Sequence, residues 1–273
     1  MTLSHRNNYL TTFFLLSIVL LALWGGVLYL AIQNGYWEKV LTPEMNNFLW
    51  FINNRSLPIP FRTAFFNLSA ILLSSLLSGA LIRRSFRKTA SPEAFFLSIF
   101  CFTLSFESLR ILAFAFTDGS QSYVILWFLT KIIYTFRIIA LFSLTLSGLF
   151  NLDFNYQKYG VLFFFIVLFA AMTSIILPLR TNLLDRSLLY PVFDPTLLGI
   201  FFVFFLIVAM IGYFFPTKFQ RTRTYLLKGV GVGAMAMGGV FSFFAPSGWI
   251  GAILLLGSAW YLSRKIQRDF LLG

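Results

Sequence analysis

The chain has 273 residues, of which 59% are hydrophobic, 19% aromatic and only 11% charged. A soluble domain carries roughly a quarter charged residues, so a soluble globular fold, a disordered chain and a nucleic-acid-binding domain are excluded despite the net charge of +12. With a mean hydropathy of +0.83, the composition predicts an all-α, polytopic membrane helix bundle.

Eight apolar runs follow one another: Tyr9–Ile32, Ala64–Ile82, Ala94–Phe116, Tyr123–Phe150, Tyr159–Leu179, Thr196–Phe215, Tyr225–Ala245 and Gly248–Leu262. Most have about the 20 residues that a helix needs to cross ~30 Å of hydrocarbon. The last two are separated at Ala245-Pro246-Ser247-Gly248, where Pro and Gly together mark a tight turn. The first run is too long for a cleaved signal and has no small-x-small site after it, so it is read as a retained anchor.

Lys and Arg set the orientation. With the N-terminus inside, the inner segments hold Arg6, Arg83, Arg84, Arg87, Lys88, Lys158, Lys218, Arg221, Arg223, Lys228, Arg264, Lys265 and Arg268. The outer ones hold only Lys39, Arg55, Arg62, Arg180 and Arg186. Both termini are therefore expected inside. The basic inner clusters, Arg83, Arg84, Arg87 and Lys88 and then Lys218, Arg221, Arg223 and Lys228, are expected to meet anionic inner-leaflet lipid, which leaves no need for a nucleic-acid partner.

The chain reads as a single membrane domain, 1–273. It comprises an anchor span (1–32), an outer segment (33–63), a seven-span bundle (64–263) and a basic inner tail (264–273). Within the outer segment, Thr42 is a capping hydroxyl followed by Pro43 and Glu44, a good helix start. Phe48, Leu49, Trp50, Phe51 and Ile52 follow. Pro43–Asn54 is predicted as a short interfacial helix. A second long outer loop runs from Arg180 to Pro195.

The residues able to carry chemistry are few. Cys101 is the single cysteine and His5 the single histidine. Disulfides, Cys-based zinc sites, His-based zinc sites and Ser–His dyads in the membrane are therefore excluded, and no cofactor or metal is expected. Lys131, Arg137, Pro246-Ser247-Gly248-Trp249 and Ser263-Arg264 partly resemble the motifs of PAP2-type lipid phosphatases. Both histidines of that chemistry are missing, and the last two pieces fall on opposite membrane faces, so the comparison fails.

Four charges lie inside spans: Glu107, Arg110, Lys131 and Arg137. At 1.5 Å per residue, Glu107 lies roughly 14 Å below the outer end of its span and Lys131 roughly 12 Å below the outer end of the next. That match predicts a Glu107–Lys131 ion pair. Arg137 lies deeper, at roughly 20 Å, where the hydroxyls of Thr103, Ser74 and Ser78 are expected to meet it. One acid against three bases leaves two positive charges, which suggests a site for an anionic ligand or lipid among spans 2–4, formed by these seven residues. Outward snorkelling of Arg110, with Glu107–Lys131 merely joining two helices, is the simpler alternative.

Gly229, Gly231, Gly233, Gly238 and Gly239 mark a face suited to close helix packing, as do Ser74, Ser75, Ser78 and Gly79. The leading functional expectation is a non-enzymatic, receptor-like protein or membrane subunit acting through a protein partner or as a homo-oligomer. A small-solute transporter using Glu107, Lys131 and Arg137 comes second, and a lipid-modifying enzyme third. A bacterial cytoplasmic membrane is the expected location.

Overall fold

The computed structural model describes residues 3–41, 59–116, 122–151, 159–181, 184–185, 187–214 and 222–272. The proposed interfacial helix Pro43–Asn54 lies outside the described residues, as do Lys158, Lys218, Arg221, Arg186 and the side chain of Arg223.

Eight α-helices form the described bundle: α1 (Leu3–Gln33), α2 (Phe61–Thr89), α3 (Pro92–Leu104), α4 (Ser122–Asn151), α5 (Tyr159–Ile176), α6 (Pro195–Phe214), α7 (Thr222–Ser242) and α8 (Gly248–Leu272). Each begins close to the start of one of the eight apolar runs, but α3 stops at Leu104 within its run and α8 continues ten residues past Leu262. Five stretches, in α1, α2, α3 with its continuation, α4 and α6, are long and apolar enough to cross a membrane. The chain is an integral membrane protein.

Local chemistry explains the joints. α2 stops where Ala90 turns left-handed (φ 52) and donates its N–H to Phe86 O. Ser91 is extended and Pro92 opens α3, because Pro lacks the N–H that a first helical turn leaves unpaired anyway. Between α7 and α8, Ala245–Ser247 forms one short 3-10 turn. Ser247 Oγ donates to Phe241 O at 2.9 Å. The split at Ala245–Gly248 is therefore real.

The third span departs from expectation. After Leu104 it continues as a ten-residue 3-10 helix, Ser105–Phe114. Ser105 Oγ donates to Phe102 O at 2.6 Å and Ser108 Oγ to Ser105 O at 2.8 Å, and such back-bonding hydroxyls distort helices. A 3-10 helix rises about 2.0 Å per residue, which lengthens this half of the span.

α1 docks through a narrow stripe. Leu10, Ser17, Trp24 and Ala31 are buried and recur every seven residues, while most of the helix faces outward. Ser17 Oγ lies 3.0 Å from Ser105 Oγ, and Trp24 Nε1 donates to Ser69 Oγ at 2.6 Å. The sharpest backbone approach joins α4 to α6. A Cβ on Gly212 would lie 2.4 Å from the carbonyl of Gly148, and one on Gly148 would lie 2.5 Å from Ala209 O. The α7 glycines pack as expected, Gly229 and Gly233 against Phe214 and Met210 of α6, and Gly231 and Gly238 against α8.

Two apolar cores stack along the bundle. One gathers Phe61, Phe65, Phe106, Ile111, Phe114 and Tyr134. The other gathers Phe86, Phe95, Phe96, Ile138, Leu144 and Leu255. The outer loop enters the first core: Leu188, Leu189, Tyr190 and Val192 are buried. An antiparallel bridge, Leu179 with Val192, closes its base. A second closure, β1 (Val40–Leu41) with β2 (Ile59–Pro60), pairs Val40 with Pro60.

Candidate functional site

Of the four intramembrane charges, Glu107, Arg110 and Arg137 come together and Lys131 stands apart, an arrangement different from the predicted one. Glu107 pairs with Arg137, not Lys131. Arg137 donates Nε to Oε1 at 2.7 Å and Nη2 to Oε2 at 3.0 Å, the bidentate fork that matches guanidinium to carboxylate. The reason is geometric. Over Glu107–Phe114 the 3-10 rise of about 2.0 Å instead of 1.5 Å sets Glu107 roughly 3.5 Å deeper than α-helical spacing predicts, away from the level of Lys131 and toward that of Arg137.

The 3-10 helix also places residues three apart on one line. Arg110 therefore stands directly beside Glu107, with Nε 3.1 Å from Oε2 and donating to Glu107 O at 2.9 Å. Arg110 does not snorkel: it is fully buried. Its Nη2 donates to Ser242 O, and its Nη1 donates to Phe243 O at 2.8 Å and to Ser187 O at 3.2 Å. Arg137 Nη2 reaches Phe243 O at 3.3 Å. Two guanidiniums thus cap the carboxyl end of α7, where unpaired carbonyls carry about half a negative charge. The Phe243 ring lies 4.5 Å from the Arg137 guanidinium and adds a cation–π face.

Lys131 performs the same task for α5. Its Nζ donates to Ser174 O at 2.8 Å, to Ile175 O at 3.2 Å and to Leu177 O. In return, Ser174 Oγ donates to Lys131 O at 2.6 Å. All three intramembrane bases are therefore satisfied by a carboxylate or by helix-end carbonyls. The expected excess of two positive charges is largely met by the backbone.

Asp185, in the loop between α5 and α6, joins this cluster, although the sequence places it outside the membrane with no link to the intramembrane charges. It faces Arg110 and Arg137 electrostatically and accepts hydrogen bonds from Ser187 N at 2.7 Å, Ser187 Oγ and Leu189 N at 3.4 Å. Removal from water pushes its carboxyl above the ordinary carboxylate range, against the opposing pull of Ser187 and the Arg137 charge. The loop itself is held tightly: Leu188 sits at φ 61 while buried, a left-handed conformation that a branched side chain keeps only when its surroundings enforce it. The apolar run Leu188-Leu189-Tyr190 was the available signal that this loop folds inward.

The hydroxyls expected around Arg137 do not reach it. Thr103 Oγ1 donates to Ile99 O and Phe100 O of its own helix, both at 2.9 Å. Ser74 Oγ donates to Ile71 O at 3.0 Å, and Ser78 Oγ is buried without a partner. Lys228 is not on the lipid-facing surface either: it is buried with its Nζ 3.6 Å from Glu93 Oε2, joining the start of α7 to the start of α3. Arg84, Arg87 and Lys88 are exposed, and Arg83 is buried beside α1. Among the described residues, no group of three His, Cys, Asp or Glu side chains could hold a metal ion.

Comparison with protein-family models, with curated proteins and with solved structures finds no match.

Proposed function

We propose that the chain is a non-enzymatic, receptor-like membrane protein of a bacterial cytoplasmic membrane. Both termini lie inside, and the protein acts through a partner chain or a second copy of itself. One observation carries this reading. Arg110 binds Glu107, the α7 carboxyl end and the outer-loop carbonyl of Ser187 at once. A ligand or partner that displaces the outer loop therefore acts on the third span and α7 through Arg110, and on α4 through the Glu107–Arg137 pair. Arg110 itself lies in the ten-residue 3-10 segment, and a 3-10 stretch within a longer helix often marks a hinge. The inner excess of Lys and Arg supports the orientation.

The closed network favours a receptor over a transporter, because its charges are spent on one another and on helix ends rather than left lining a path. Osmotic-swelling measurements on proteoliposomes, with a panel of small organic ions and neutral solutes, test this. No flux above that of protein-free liposomes is expected. Saturable flux abolished by Arg137→Met would replace the receptor-like reading with a transporter.

A further inference from the structure

A second basic feature lies far from the polar core, near the end of α2, in a cleft of about 330 Å3 between α1 and α2. Its size is at the lower end of the range for small-ligand sites, about 300–1,000 Å3. Phe14, Ala80, Arg83, Arg84 and Arg87 line it. Arg83 is only 8% exposed and is held in place: its Nη2 donates to Thr11 Oγ1 at 2.7 Å and its guanidinium lies 5.2 Å from the Phe14 ring. Its Nε–H is buried and has no acceptor. Arg87 Nε touches Asn7 Oδ1 at 3.3 Å, and among the described residues no carboxylate pairs with Arg83, Arg84 or Arg87.

The α2 surface that leads up to the cleft is equally informative. Leu73, Leu77, Ala80, Arg84 and Arg87 recur at three- and four-residue steps and share one face of α2. Leu73 and Leu77 are 47% and 49% exposed. One face therefore offers an apolar track, a small residue that leaves room, and then two exposed guanidiniums with no carboxylate partner among the described residues, Arg87 touching only the Asn7 amide. That order matches an acyl chain, a glycerol and a phosphate. Arg83 lines the cleft and keeps a buried Nε–H without an acceptor, an unmet donor that is costly, and phosphate oxygens are strong acceptors for Arg.

We propose that this cleft binds one anionic glycerophospholipid, its phosphate held by Arg83, Arg84 and Arg87 and its acyl chain lying along Leu77 and Leu73. The site is independent of the outer network and of the receptor-like reading.

The test uses the full chain in neutral detergent, titrated with dioleoylphosphatidylglycerol, dioleoylphosphatidylcholine or inorganic phosphate. Thermal stability and native mass spectrometry are the readouts. Phosphatidylglycerol is expected to raise the melting temperature and to appear as one retained lipid, and the other two probes to do neither. R84Q/R87Q removes two exposed charges and should weaken phosphatidylglycerol binding roughly tenfold or more. A80F keeps every charge, fills the cleft and should abolish the retained lipid. K265Q/R268Q removes two charges elsewhere and should leave binding unchanged. An equal loss in K265Q/R268Q, retained lipid in A80F, or an equal response to inorganic phosphate would each overturn the proposal. The first means general surface attraction, the second a site elsewhere and the third a free-anion site.

Discussion

Arg137 grips Glu107 through two parallel hydrogen bonds of 2.7 and 3.0 Å, joining α4 to the 3-10 half of the third span in the middle of the bundle. Breaking a buried pair by removing one partner costs about 3–5 kcal/mol, whereas removing both with apolar replacements is often neutral. Glu107→Gln and Arg137→Met should each lower the melting temperature sharply, and the double variant should recover only part of the loss, because Arg110, with Nε 3.1 Å from the same carboxylate, stays buried without it. Glu107→Gln combined with Lys131→Met should be additive, since those residues share no partner. A recovery in the second pair rather than the first would show that Lys131, not Arg137, is the partner of Glu107.

Lys131 tests helix-end capping alone. Lys131→Met removes the cation from the α5 carboxyl end, a contribution of up to about 2 kcal/mol in partly buried geometry. Hydrogen exchange should rise at Leu177 and in the following loop while the amides around Glu107 stay protected. Uniform loss of protection across the bundle would contradict a local role.

The outer loop should respond to pH through Asp185. Its folded carboxyl titrates above the ordinary value of 3.8, so the folded state binds the proton more tightly than the unfolded chain does. Stability is then greater below the ordinary carboxylate range and falls as pH rises through the folded value. Asp185→Asn can still accept from Ser187 and Leu189, and it should flatten this part of the melting-temperature profile. An unchanged profile in the variant would assign the pH dependence to another group.

Glycine positions give a paired prediction. Gly212→Ala forces a Cβ to within 2.4 Å of the Gly148 backbone, which cannot yield without separating α4 from α6. It should destabilise by well over ~1 kcal/mol. Gly257 in α8 has nothing within 4 Å of its Cβ position, so Gly257→Ala should be neutral or stabilise by up to about 1 kcal/mol. Thermal melts of the two variants in the same detergent make the comparison.

Topology is checked with a reporter active only outside the cytoplasm. Fused after Gly273 it should be silent, and inserted near Asp118 it should be active. A bright C-terminal fusion would place the last span's end outside.

The amino-acid sequence by itself determined the class and the segmentation. Eight apolar runs became eight helices because burying about twenty consecutive apolar residues is favourable whatever their neighbours, and Pro246 with Gly248 breaks a helix locally. It also located Glu107, Arg110, Lys131 and Arg137 as buried charges, but not Arg83, Glu93 and Lys228, which are buried as well. Tertiary structure alone decided their partners. The pairing of Glu107 turned on a change of helical rise, since the 3-10 stretch from Glu107 to Phe114 moved its carboxylate away from the level of Lys131 and toward that of Arg137. The satisfaction of Arg110 and Lys131 turned on helix ends at Ser242, Phe243 and Leu177. These acceptors are backbone carbonyls, which every residue carries, so no side-chain pattern announces them. Asp185 joined the cluster for the same kind of reason. A loop's depth is set by where its apolar side chains find room, and the vacancy beside Thr130 and Tyr134 that takes Leu189 and Tyr190 exists only once α4 is packed.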